Sequence, residues 1–263
     1  MSPYWAVVKA RFRTLLQYRA AAIAGFGTQL FWGFMRVMIF EAFFLSSPHT
    51  QPMTYEQTVT YLWLIQALLL LLPWRTDPEI RAMIRNGTVA YELARPADLY
   101  WLWFSRQIAK HTAPAILRAT PMFIIAGLFL GLQPPASWAS AGASLISLMG
   151  AVALASAIST LMLISLMWTI SGEGMSRLLG TVAYVFSGSV IPQPFFPDWA
   201  QRVLDYLPFR GLMDTPFRLY IGHLRPEQFP LLFLHQVGWA SALILLGRLL
   251  LARGMRRLVV QGG

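Results

Sequence analysis

The sequence contains no cysteine, which excludes disulfides, thiolate nucleophiles and cysteine-ligated metals and leaves the redox compartment unreadable. Charge is scarce too. Only 12% of the 263 residues are charged and 56% are hydrophobic, a balance that suits a bilayer better than water. No glycine-rich loop precedes Lys9 or Lys110, the only lysines, so the chain lacks a Walker A site for ATP phosphates. His49, His111, His223 and His235 are scattered without a spacing such as HExxH, and no metal site is expected. His235, beside Gln236, is the one histidine expected to be buried, in an interhelical hydrogen bond rather than a proton relay. No apolar run holds a convincing nucleophile and base, so no catalytic residue is assigned.

What is abundant is apolar sequence in runs near the roughly 20 residues that cross hydrocarbon. The expected fold is an all-α membrane protein forming a single transmembrane domain over 1–263, with six transmembrane helices at 20–45, 58–72, 113–132, 141–170, 172–191 and 230–251. The net charge of +10 comes from arginines beside apolar segments, so topology explains it better than nucleic acid does. Residues 1–19 read as a basic amphipathic interface helix, with Trp5, Val8, Phe12 and Leu15 on one face, or as a plain positive flank. The first span is expected to act as an uncleaved signal anchor. Within it Gln29, Gly33 and Arg36 share a helical face. An arginine inside a span points to function, but Arg36 lies about 25 Å beyond Arg19 at helical rise and can also snorkel to the outer headgroups.

The polar stretch 74–110 carries a basic excess that places it, with both termini, on the cytoplasmic side. Asp77 with Pro78 starts a short helix, Glu79 suits its positive end and Gly87 suits its termination. Tyr100, Trp101, Trp103 and Phe104 read as an aromatic anchor at the inner headgroups. Ser147, Ala151, Ala155 and Ser159 form a small-residue ladder for close helix packing. The run after Arg177 is short for a full crossing, and 192–229, with Pro192, Pro194, Pro197 and Pro208, reads as a re-entrant outer region. Its four arginines are balanced by four acids.

Two stretches carry a resemblance. RNGTVAYELARPADLY, 85–100, resembles the G-x-x-x-Y-x-L-x-R-P-x-D segment of one branch of type-2 ABC exporter permeases, often paired with a second permease. SGSVIPQPFFPDWAQRVLDYLPFRGLMDTPFRLYIG, 187–222, is similar to their SG…P…P-x-W…LP…R…G region. The resemblance implies a non-catalytic permease subunit in the inner membrane of a prokaryote. Its partners would be two ATP-binding subunits, which bind ATP and Mg, a second permease copy or paralogue, and membrane lipid. It implies ATPase coupling through Glu79, Arg81, Arg85, Asn86, Gly87, Tyr91 and Arg95. Gln29, Gly33 and Arg36 would face a lumen or dimer interface, and Ser187, Gly188, Pro192, Pro194, Pro197, Trp199 and Pro208 would form an outer gate. An ATP-independent secondary carrier would need midplane ionisable residues and an internal repeat. An intramembrane enzyme on lipid-linked substrate is the remaining alternative.

Overall fold

The computed structural model describes residues 3–17, 19–46, 51–93, 96–168 and 173–255. It is all-α, 81% helical, with no strand among the described residues. The helices are α1 (Pro3–Leu16), α2 (Arg19–Ser46), α3 (Tyr55–Leu68), α4 (Pro78–Arg85), α5 (Ala90–Leu93), α6 (Leu99–Phe129), α7 (Trp138–Ser165), α8 (Glu173–Phe186), α9 (Asp198–Tyr206), α10 (Asp214–Tyr220) and α11 (Phe229–Met255).

Four stretches among the described residues, Ile23–Ser46, Leu99–Phe129, Trp138–Ser165 and Pro226–Met255, are long and apolar enough to cross a bilayer. The expected spans at 58–72 and 172–191 correspond to α3 and α8, of 14 residues each, about 21 Å at helical rise. α3 tightens into a 3-10 turn at Leu69–Leu71 and stops before Pro73, which lacks an N–H and disfavours helix at the residue preceding it. Short as it is, α3 is the centre of the core, buried from Thr58 through Ala67.

The expected span at 113–132 is the second half of a longer helix. α6 starts at Leu99, where the Asp98 carboxylate caps it by accepting from the Trp101 N–H at 3.1 Å. Of the four aromatics expected to anchor at the inner headgroups, Trp101 is half-buried and the other three face the chain's own interior. Tyr100, Trp103 and Phe104 are buried with Leu163, Ile164 and Leu251, because α7 and α11, with Ile80 and Val89, offer them an apolar surface, and the Trp103 Nε1–H finds its acceptor on Glu92 at 2.8 Å.

α7 packs against α6, α8, α10 and α11, and its small-residue ladder is fully buried. Two of its serines anchor neighbours. Ser147 donates to the Gln236 side chain at 3.1 Å, and Ser159 lies 2.9 Å from His111 Nε2. Among the described residues His111, not His235, is thus the fully buried histidine. His235 is half-buried near the Tyr206 carbonyl, while Gln236 turns inward and donates to the carbonyls of Ser147 and Gly211. Close approach at Gly150 and Gly211 makes room for it, since a Cβ on either would lie 2.9 Å from the glutamine.

Candidate coupling and gating sites

The helix bundle has two polar ends. One holds α1, α4 and α5; the other holds α9, α10 and the turns joining α8 to them.

At the first end the sequence makes α4 almost alone. Asp77 Oδ1 accepts from the N–H groups of Glu79 at 2.9 Å and Ile80 at 3.4 Å, Pro78 occupies the first turn, and Asn86 closes the helix before Gly87, whose φ of +70° favours glycine. Ile80 is buried while Arg85 and Asn86 are exposed and Arg81 is half-buried. Arg11 of α1 bonds Glu79 and lies 3.8 Å from Asp77. The Arg11 hydrogen bond is the main reason the Glu79 carboxyl titrates below its ordinary value, against a smaller opposing effect of burial. Lys110 of α6 donates to the Arg75 carbonyl just before α4. The Tyr4 hydroxyl accepts from the Asp98 N–H at 3.1 Å, so α1 is strapped along α6 as well as against α4. Its observed inward face includes Val8, Phe12 and Leu15, as expected, but Trp5 is exposed.

The following turn is held by Glu92, buried between Trp103 and Arg106, the latter at 3.3 Å. Tyr91 on α5 is 77% exposed. Arg95 lies outside the described residues. Arg11, Glu92 and Lys110 were not singled out by sequence; each acts through a partner distant in the chain.

At the opposite end the backbone turns at Ser187–Gly188–Ser189. Gly188 has φ +84°, and a Cβ there would collide with the Tyr61 hydroxyl, so both conformation and space require glycine. The hub is Asp214, 1% exposed. Its Oδ1 accepts from the Tyr61 hydroxyl at 3.1 Å and the Gln193 N–H at 3.2 Å. Its Oδ2 pairs with Arg218 at 3.1 Å, and its N–H donates to the Ser187 carbonyl at 3.0 Å. Pro192, Pro194 and Pro208 are buried, whereas Pro197 is exposed and Trp199 is 72% exposed on the outer face of α9. The turn, Pro192 and Pro194 thus surround the Asp214 hub, while Trp199 projects away from it.

Arg218 also donates to His223 Nδ1 at 3.2 Å, and His223 Nε2 faces the Pro52 carbonyl at 3.1 Å. That arrangement needs the neutral ring with its proton on Nε2. Burial first, and the Arg218 charge second, depress its pKa below the ordinary 6.5. Protons therefore bind the unfolded form better. Thermal stability in detergent should fall as pH drops through about 6.5, and His223→Gln should flatten that part of the profile.

Gln29, Gly33 and Arg36 lie along α2, but the single chain gives each its own neighbour. Gly33 abuts the Trp63 ring of α3. Gln29 is buried with neither amide atom hydrogen-bonded. Arg36 reaches α8 and its terminal turn, donating to the Tyr184 hydroxyl and the Ser189 carbonyl.

Among the described residues no group of three or more His, Asp or Glu side chains is placed to hold a metal ion. Comparison with curated proteins and with solved structures gives no match. Residues 30–262 match the family described as ABC-2 family transporter protein. The long apolar helices and this match together make the chain a member of the ABC-2 family, a multi-pass membrane subunit of an ABC transporter.

Proposed function

We propose that this permease converts the nucleotide cycle of separate ATP-binding subunits into substrate export, working beside a second permease copy or paralogue. The α4 end faces the cytoplasm and the α9 end faces outward. The observation that carries the reading is the rigid seating of α4: Asp77 caps it, Arg11 ties it to α1, and the Lys110 bond to Arg75 ties its approach to α6. A helix so fixed transmits a push from a docked ATPase instead of absorbing it.

α8 is the connecting rod. Near α4, Gly180 lets α8 approach the Trp74 carbonyl so closely that a Cβ would lie 2.9 Å from it. One turn on, Tyr184 receives Arg36, and the helix ends in the Ser187 turn bonded to Asp214. Movement of the α4 end thus reaches the outward turn through one short helix. ATP and Mg belong to the partner.

The test is co-purification with a coexpressed P-loop ATPase encoded beside the permease. Arg81→Glu with Arg85→Glu should weaken association roughly tenfold or more while membrane insertion and elution profile stay unchanged. Undiminished association would remove α4 from the docking surface; an ATPase that never co-purifies with the unaltered chain would overturn the transport coupling itself.

A further inference from the structure

Between the starts of α4 and α8 lies a cavity of about 730 Å³. Its wall carries Arg75, Arg81 and Arg177 with the hydroxyl residues Thr76, Ser176 and Thr181, and its described lining includes no acidic residue. The Ser176 hydroxyl is buried with no hydrogen-bond partner among the described residues, so this wall is incompletely satisfied by the chain itself. Trp74 and Tyr184, with ring centroids 4.3 Å apart, close another side.

Trp74 and Arg75 also wall a second cavity of about 390 Å³, lined by Leu69, Leu70, Leu72 and Pro114 beside Lys110 and His111. A cationic chamber therefore adjoins an apolar one across a shared Trp–Arg partition. Guanidinium forks match phosphate oxygens, and the leucine-lined chamber suits hydrocarbon. A free phosphate would use only the first chamber, and a zwitterionic amphiphile would bring its own cation into a site already rich in arginine.

We propose that the paired chambers bind an anionic amphiphile, its phosphate-ester head against Arg75, which lines both chambers, and its chain along Leu69, Leu70 and Leu72. The occupant would touch Tyr184, the ring whose hydroxyl anchors Arg36. That the amphiphile is loaded there for transport rests on the coupling role of α4 and α8; the binding does not.

Native mass spectrometry of the full chain in an uncharged detergent tests the site, with dioctanoyl phosphatidylglycerol, dioctanoyl phosphatidylcholine and inorganic phosphate as separate probes. The phosphatidylglycerol should be retained roughly tenfold better than the phosphatidylcholine, and Arg75→Gln should cut its retention by a similar factor. Thr181→Trp, which fills the cationic chamber without changing charge, should do the same, whereas Arg202→Gln on exposed α9 should not. Circular dichroism and elution volume verify that each variant is folded.

Equal retention of the two lipids overturns the proposal, as does retention unchanged in both Arg75→Gln and Thr181→Trp. Retention of inorganic phosphate as strong as that of the lipid also overturns it, because the chain chamber would then contribute nothing. Phosphatidylglycerol that also stimulates ATP hydrolysis in the assembled complex identifies cargo; retention without stimulation identifies a resident lipid, and both support the site. Failure of the coupling reading shows separately: an ATPase that never co-purifies with the unaltered chain, or one whose association survives Arg81→Glu with Arg85→Glu, leaves lipid retention by the unaltered chain as expected here.

Discussion

Asp214→Ala is expected to destabilise the α9 end by about 3–5 kcal/mol, the usual cost of stranding one partner of a buried ion pair. The carboxylate serves three groups at once: the Tyr61 hydroxyl, the Gln193 N–H and the Arg218 guanidinium. Its removal leaves the guanidinium without its counter-ion and two donors without their acceptor, around a position that is itself 1% exposed. Tyr61→Phe, by contrast, removes a single hydroxyl and should cost about 1 kcal/mol. Thermal unfolding in detergent distinguishes the two; a loss in Asp214→Ala no larger than in Tyr61→Phe would show that the carboxylate is not the hub. In transport assays the same variant should uncouple, since the segment after the Ser187 turn loses the bond from the Gln193 N–H to the carboxylate of α10.

Gly33→Leu should be the most damaging change in α2. A Cβ at this position already enters the space of the Trp63 ring, and Trp63 is itself buried and set edge-on to Phe34, with ring centroids 5.5 Å apart. The larger side chain must push α2 from α3, at a cost of about 1–3 kcal/mol or more, in a contact of the small-residue type that lets membrane helices approach. Displacing α2 would also strain the bonds from Arg36 to Tyr184 and Ser189, so transport should fall with stability. Trp63→Ala combined with Gly33→Leu should recover part of the loss, because the two residues share one contact. Gly27→Leu, where a Cβ meets nothing within 4 Å, should leave the chain's own stability nearly unchanged. Equal melting losses at the two glycines would contradict the packing.

What could be read from the sequence was local. The capping Asp77, the Pro78 behind it and the terminating Gly87 define α4 without help from the rest of the chain, and the small-residue ladder of α7 required only its four-residue spacing. The start of α6 was hidden because Arg106 and Lys110 interrupt the apolar pattern. Their charges are satisfied by Glu92 and by the Arg75 carbonyl, partners that the fold supplies and hydropathy does not show. Asp214 was hidden for a related reason: a balanced mixture of acids and arginines reads as a solvated surface, yet here the pair is folded inward around Tyr61. The difference between His111 and His235 depends on helix rotation, which becomes fixed only when Ser159 and Gln236 find their partners. The apolar run at 58–72 read as a span and did not show that its helix would end at Leu68 or be buried along most of its length.

The lack of native cysteine makes the central claim directly measurable. A single cysteine introduced by Ala82→Cys, on the exposed side of α4, should form a cross-link with the coexpressed ATP-binding subunit, with a yield that changes when ATP is added. It should stay unlabelled by a membrane-impermeant thiol reagent in intact cells, while Arg202→Cys on α9 should be labelled and form no such cross-link. Labelling of Ala82→Cys from outside, or cross-linking of the ATPase through Arg202→Cys instead, would contradict the assignment of α4 as the helix that receives the ATPase.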